Sequence, residues 1–346
     1  MQSHIIILLY IGVACVCGQI SRQEYPTPSD VYNQSKVYVK QDGRHQPEYY
    51  GYEEPCPDAE DISPCVCTYD TVSKAMDLEC SAVESEEQLK QIFKADFPLK
   101  NFNKFDLHDN NNIKVLEAGV FNGITFEIIN VYNTDLEVVE LNALDSCYET
   151  ATNIDLYYSK ITSFPFDELS QFSKLRDFAI SHSLLSVIPA DAFHGLTALD
   201  HLDISDNNAD IVGTFQDLPK LGHISLDSNN MTTIPSQFIK TGSSDLSFIG
   251  LSHNNIVSVE PDAFDIVDGL HINMGFNSLS TLDEVTWRPY FEAGVTLAAG
   301  DNPLVCGCDV AWLFGEDQLR EHVDYYATCT NGEHLWFLDP STFDNC

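Results

Sequence analysis

The chain has 346 residues, of which 17 are Lys or Arg and 53 are Asp or Glu, giving a formal net charge of −36. An acidic surface of that size repels polyphosphate and anionic lipid, which argues against nucleic acid and acidic membranes as partners and in favour of cationic ones. Past residue 18 no apolar run reaches the roughly 18 residues that cross a bilayer, so no membrane insertion is expected.

Taken in chain order, the first element is the apolar run 5–17, closed by the small residues Val16 and Gly18. It has the length of a signal-peptide core, so residues 1–18 are predicted to be a signal peptide and the mature chain to be exported to the extracellular space or matrix. Residues 19–55 carry six Tyr (Tyr25, Tyr32, Tyr38, Tyr49, Tyr50, Tyr52) among Pro, Gln and charges, with almost no Leu or Ile. That composition cannot offset chain entropy by burial, so a disordered tail is predicted. The tail holds a glycosylation sequon at Asn33, and the acidic Tyr cluster at 48–54 is a candidate for sulfation.

Eight cysteines then stand in two clusters: Cys56, Cys65, Cys67 and Cys80, and Cys306, Cys308, Cys329 and Cys346. In an exported chain such clusters read as disulfides rather than as zinc thiolates, and spacing alone leaves three pairings open for each. Cys147 stands apart, either as a buried thiol or as an intermolecular link.

Between the clusters a template recurs, with apolar residues at the first, fourth and sixth positions and Asn at the ninth. Clear copies are Leu199, Leu202, Ile204, Asn207; Leu221, Ile224, Leu226, Asn229; and Leu246, Ile249, Leu251, Asn254. The ninth positions are Asn110, Thr134, Ser159, Ser183, Asn207, Asn229, Asn254, Asn277 and Asn302, spaced 22 to 25 residues apart. The alternation around positions four and six predicts a short strand per repeat, stacked in parallel on its neighbours. The Asn side chain can then bond backbone groups of adjacent turns, and Ser or Thr only in part, so the bonding is expected to be looser where those replace it. Return segments such as 188–196 and 259–267 bring in one aromatic each, Phe193 and Phe264.

This pattern resembles the typical leucine-rich repeat of secreted animal proteins. The motif Asn302-Pro303-x-x-Cys306-x-Cys308-x-x-x-Trp312-Leu313 resembles their C-terminal cysteine cap, and Cys56 to Cys80 their N-terminal one. The opening at 56–67 is most similar to the arthropod group typified by the non-catalytic subunit of oplophorus-luciferin 2-monooxygenase. The resemblance implies an α/β fold: a leucine-rich-repeat solenoid, a curved horseshoe with a parallel concave sheet, an irregular convex side and disulfide-bonded caps. It implies the pairs Cys56–Cys67, Cys65–Cys80, Cys306–Cys329 and Cys308–Cys346. The expected organisation is an N-terminal cap at 56–100, repeats at 101–301 and a C-terminal cap at 302–346.

In such a fold the outward strand residues make the concave face, which then carries any partner. Those singled out are Tyr132, Tyr157 and Tyr158; His182, His201, His223, His253 and His271; Phe248 and Phe276; and Asp203 and Asp227. Aromatics on a solvent face suit a protein interface. His201 and His223 beside Asp203 raise two further readings, a pH-sensitive contact and a metal-dependent enzyme. No nucleophile elbow, metalloprotease helix or phosphate loop occurs, so no catalytic residue and no cofactor are expected. Asn230 opens a second sequon, at the outgoing edge of its strand.

The expected function is that of a secreted, non-catalytic binding protein. It would hold an extracellular protein, either as the non-catalytic subunit of a small secreted enzyme or as a component of the extracellular matrix. The alternative is a soluble factor recognising glycan or microbial surfaces.

Overall fold

The computed structural model describes residues 55–346 apart from 212, 316 and 317. The expected signal peptide, the Asn33 sequon and the Tyr cluster at 48–54 lie outside the described residues.

The alternating residues of each repeat build one sheet of eleven strands, ordered along the chain. They are β1 Val66–Tyr69, β2 Met76–Glu79, β3 Asn101–His108, β4 Thr125–Tyr132, β5 Asn153–Tyr157, β6 Asp177–Ser181, β7 His201–Asp203, β8 His223–Ser225, β9 Phe248–Gly250, β10 His271–Asn273 and β11 Thr296–Ala298. β1 and β2 are antiparallel, and every later pairing is parallel. The leucine-rich-repeat solenoid implied by the repeat is the architecture found.

The fourth-position residues Phe105, Ile129, Phe178, Leu202, Ile249 and Leu297 are no more than 1% exposed. They form a column running the length of the core, as a period of two facing inward requires. From the convex side Phe121, Phe193 and Phe264 close over it, all buried. Phe193 also stacks on Phe215 at 5.7 Å, and Phe215 meets Phe238 edge-on at 5.5 Å.

The convex side is less irregular than the sequence suggested. Four parallel pairs of two-residue strands line it, among them Val187–Ile188 with Asp210–Ile211 and Thr233–Ile234 with Ser258–Val259. Two short helices also form where a capping residue precedes an apolar face. In α1 (Glu86–Ile92) the Ser85 hydroxyl accepts from Gln88 N at 3.2 Å. In α2 (Glu284–Glu292) the Asp283 carboxylate accepts from Thr286 N at 3.0 Å, and Trp287, Tyr290 and Phe291 are buried.

The ninth-position Asn column is a hydrogen-bond ladder. Asn254 Nδ2 donates to Leu226 O at 3.0 Å in the preceding repeat, and to Leu251 O and Ser252 O at 3.2 Å in its own. Its Oδ1 accepts from Met231 N at 3.0 Å. Asn207, Asn229, Asn277 and Asn302 repeat that scheme. The ladder is looser at Thr134, Ser159 and Ser183, where Ser183 Oγ reaches only Ser181 O at 3.4 Å. There the strands β4, β5 and β6 run eight, five and five residues, against three in β7 to β11. Longer backbone pairing takes over the cohesion that the short side chains cannot supply.

Both ends are closed. Disulfides join Cys56 to Cys67, Cys65 to Cys80, Cys306 to Cys329 and Cys308 to Cys346. Met76 and Leu78 of β2 cover the first repeat, and Val310 and Leu313 the last, all four buried. Cys147 is 0% exposed, out of reach of another chain, which leaves the buried-thiol reading; burial pushes its thiol up to about 11.

Candidate partner-binding face

The parallel register fixes which outward residues are neighbours. His201, His223, Phe248, His271 and Thr296 share one column, before the inward fourth position. His108, Tyr132, Tyr157 and Ser181 share another, after the sixth. Because adjacent strands lie about 4.8 Å apart, flat rings in one column stack.

They do so in three runs. His108 stacks on Tyr132 at 4.9 Å, and Tyr132 on Tyr157 at 5.3 Å. Tyr157 meets Tyr158 edge-on at 5.9 Å, and Tyr158 stacks on His182 at 4.1 Å. In the C-terminal half His201 stacks on His223 at 4.3 Å and His223 on Phe248 at 4.5 Å, with His271 tilted at 6.0 Å. The third run is His253 on Phe276 at 4.2 Å. The ten aromatic and imidazole residues singled out from the sequence thus fall into these three runs. Gly250 makes room for the second: a Cβ there would lie 2.5 Å from Asp227 Oδ2 and 3.0 Å from the Phe248 ring.

The eighth position of every repeat has a feature that periodicity does not carry. Asp109, Asn133, Tyr158, His182, Asp206, Ser228, His253, Phe276 and Asp301 all have φ between 49° and 55°, in the left-handed region. Asn, Asp and His are enriched at such positions, and bulky Tyr and Phe are not. Tyr158 and Phe276 are 56% and 51% exposed, so no core packing compensates them; each is stacked on a His.

Two of the face's acidic residues, Asp203 and Asp227, are spent on the backbone. Asp203 accepts from Ser205 N at 2.9 Å; Asp227 accepts from Ser252 N at 2.5 Å and from the Ser225 hydroxyl at 3.0 Å. The His201 and His223 rings, which the sequence sets beside Asp203, stack on each other, and the His–Asp pairs among the described residues are His182–Asp206 at 3.5 Å and His108–Asp109 at 3.0 Å. Burial, and then His201, holds His223 below the usual imidazole range. Burial, then the Asp177 and Asp203 charges, pushes the Asp155 carboxyl up. Lys104 stands at the N-terminal end of the column that holds His201 and is paired with Asp106 at 2.6 Å. Among the described residues no group of three or more His, Cys, Asp and Glu is placed to hold a metal ion. Asn230 is exposed.

The repeat geometry agrees with what the chain is similar to. A leucine-rich-repeat family model matches residues 149–209. The non-catalytic subunit of oplophorus-luciferin 2-monooxygenase from Oplophorus gracilirostris is 31% identical over 314 residues, covering 83% of this chain and 87% of that protein. The chain belongs to that leucine-rich-repeat family. More distant members of the repeat class share only part of its length: mouse CD180 antigen is 27% identical over 45% of this chain, which spans 24% of CD180. Among solved structures, the protein in a TLR13–ssRNA13 complex superposes with a TM-score of 0.51 at 24% identity, covering 64% of this chain and 31% of that one, a likeness of fold alone.

One rung of the face went unseen in the sequence. Leu297 of β11 bridges in parallel to Val323 of the C-terminal cap, and Ala299 N donates to Asp324 Oδ1 at 2.9 Å. Asp324 and Tyr326 therefore follow Ala298 and Gly300 in their columns, while His322 turns away and stacks on the buried Phe291 at 5.7 Å. No leucine template marks this rung; its only sequence signal is the alternation around Val323.

Proposed function

We propose that this protein is a secreted, non-catalytic binding subunit that holds a protein partner on its concave face. The observation that carries this is the set of stacked outward rings, His108–Tyr132–Tyr157, Tyr158–His182 and His201–His223–Phe248. Rings stacked on one another are rigid before any partner arrives, so little side-chain entropy is lost on binding. They present edges and polar tips, which suit a protein surface; a sugar ring needs an open aromatic face, and stacking covers those. The family relation to a subunit named as non-catalytic supports reading the face as a holder rather than a reaction site. The disulfide-closed caps support export, since such bonds persist in oxidising compartments.

The test is affinity isolation from extracellular fluid with the tagged chain, alongside the double variants Tyr157→Ala/Tyr158→Ala and His223→Ala/Phe248→Ala. A single protein recovered near equimolar ratio with the wild type and lost with both variants is the expected result. Full recovery with both variants would remove the concave face from the function, and signal confined to a glycan array would put the glycan reading in its place. On the same material, a mature N-terminus at Gln19 and a mass shift on deglycosylation at Asn230 are expected.

A further inference from the structure

The C-terminal cap ends the repeats, yet it does not hide its own aromatics. Tyr326 is 73% exposed, Phe337 69% and Tyr325 50%. Tyr325 is the hub of the group, with Tyr326 at 6.0 Å, His334 stacked at 5.1 Å and Phe337 edge-on at 5.7 Å. These rings do not dangle. The Trp336 indole donates to Val323 O at 2.8 Å, Leu335 N donates to Ala327 O at 3.0 Å, and the Cys306–Cys329 disulfide ties down the same turn. A rigid, exposed aromatic group on an otherwise strongly acidic chain marks an interaction surface.

Position says what it joins. Tyr326 stands in the column of Gly300, where an added Cβ would lie 3.0 Å from that of Tyr326. The cluster is thus continuous with the concave face at its tenth rung. Charge says what it takes. The chain carries −36, so a second copy is repelled. The nearby charges Asp301, Asp324 and Glu333 favour a cation, and ring faces attract guanidinium and ammonium groups.

We propose that Tyr325, Tyr326 and Phe337 of the C-terminal cap form a docking surface for an Arg-bearing segment of the protein partner held by the concave face. The assignment rests on the proposed function and adds to it both a second contact region and the chemistry of the partner.

The experiment uses the full secreted chain and a fluorescent nona-arginine peptide at 0.15 M salt, read by anisotropy. Each ring exchanged leaves the net charge unchanged, so a purely electrostatic attraction would not move. Tyr325→Ala/Tyr326→Ala/Phe337→Ala is expected to weaken binding about tenfold or more, while Tyr326→Phe/Phe337→Tyr keeps it. Tyr326→Ala alone, at a ring with little packing to lose, is expected to weaken it several-fold, which separates the effect from misfolding. Wild-type affinity in the triple variant with loss in Tyr157→Ala/Tyr158→Ala would overturn the cap's role and leave the concave reading standing. Wild-type affinity in both would overturn the cap's role and count against the concave reading too. A wild-type dimer in sedimentation that the triple variant dissolves would identify a second copy as the occupant and overturn the proposal.

Discussion

Replacing Asn254 by Ala tests whether the Asn column is the bond between repeats. Four hydrogen bonds are lost, but their cost is not four equal shares. Leu226 O keeps a donor in Asn229 Nδ2, Leu251 O keeps Asn277 Nδ2, and Ser252 O keeps Ser228 N. Met231 N has the Asn254 Oδ1 as its acceptor, in a residue only 4% exposed, and would be orphaned. An orphaned buried N–H costs about 1–3 kcal/mol, and the three weakened donations add about 1 kcal/mol between them. The total of about 2–4 kcal/mol contrasts with Ser183→Ala, where one 3.4 Å bond is lost and the cost should stay below about 1 kcal/mol. Thermal unfolding reads the difference, at roughly 2 °C per kcal/mol for a chain of this size. Equal melting shifts in the two variants would refute the reasoning, because the ladder would then carry no more than the longer strands do.

Two further outcomes follow from the face itself. The Asp155 carboxyl, raised by burial and then by Asp177 and Asp203, binds its proton more readily folded than unfolded. Its penalty is therefore full above the folded pKa, fades as pH falls through it, and is gone below the unfolded value near 3.9. Asp155→Asn should raise the melting temperature at pH 7 and lose that advantage under acid; a variant that melts lower at pH 7 would show the charge to be stabilising. Tyr158→Asn should leave stability unchanged or raise it, since Asn tolerates φ near 50°, while weakening partner binding through loss of the stack on His182. Equal binding by calorimetry would mean that the ring serves the fold only.

Legibility followed periodicity. The column from Phe105 to Leu297 could be read because each repeat places an apolar residue at the same offset, and one register then fixes all the outward neighbours. What escaped had no repeat behind it. Helix α2 depends on one capping Asp283 and a single local face, a signal that occurs once. The tenth rung has Val323 where a template would need several leucines, because the cap's core is completed instead by Leu313, Leu319 and Leu335 from outside the repeat. The partners of His201 and His223 escaped for another reason: residue type offered both Asp and a second ring as neighbours, and only geometry shows the carboxylates already bound to backbone N–H groups.

The left-handed position connects fold and function most closely. The solenoid imposes φ near 50° on all nine eighth positions, whatever residue stands there. A side chain other than Gly pays roughly 1–2 kcal/mol for that conformation, and least where it is Asn or Asp. Selection for stability alone would fill the column with those types, as it does at Asp109, Asn133, Asp206 and Asp301. Tyr158 and Phe276 depart from that rule where the outward face carries stacked rings, and each recovers some of the cost against a neighbouring imidazole, His182 or His253. Both residues still remain about half exposed, at 56% and 51%, so the stack alone does not account for the choice. A residue that costs the fold and is left exposed is best explained by what it meets outside the molecule, so Tyr158 and Phe276 are expected to be part of the proposed binding surface.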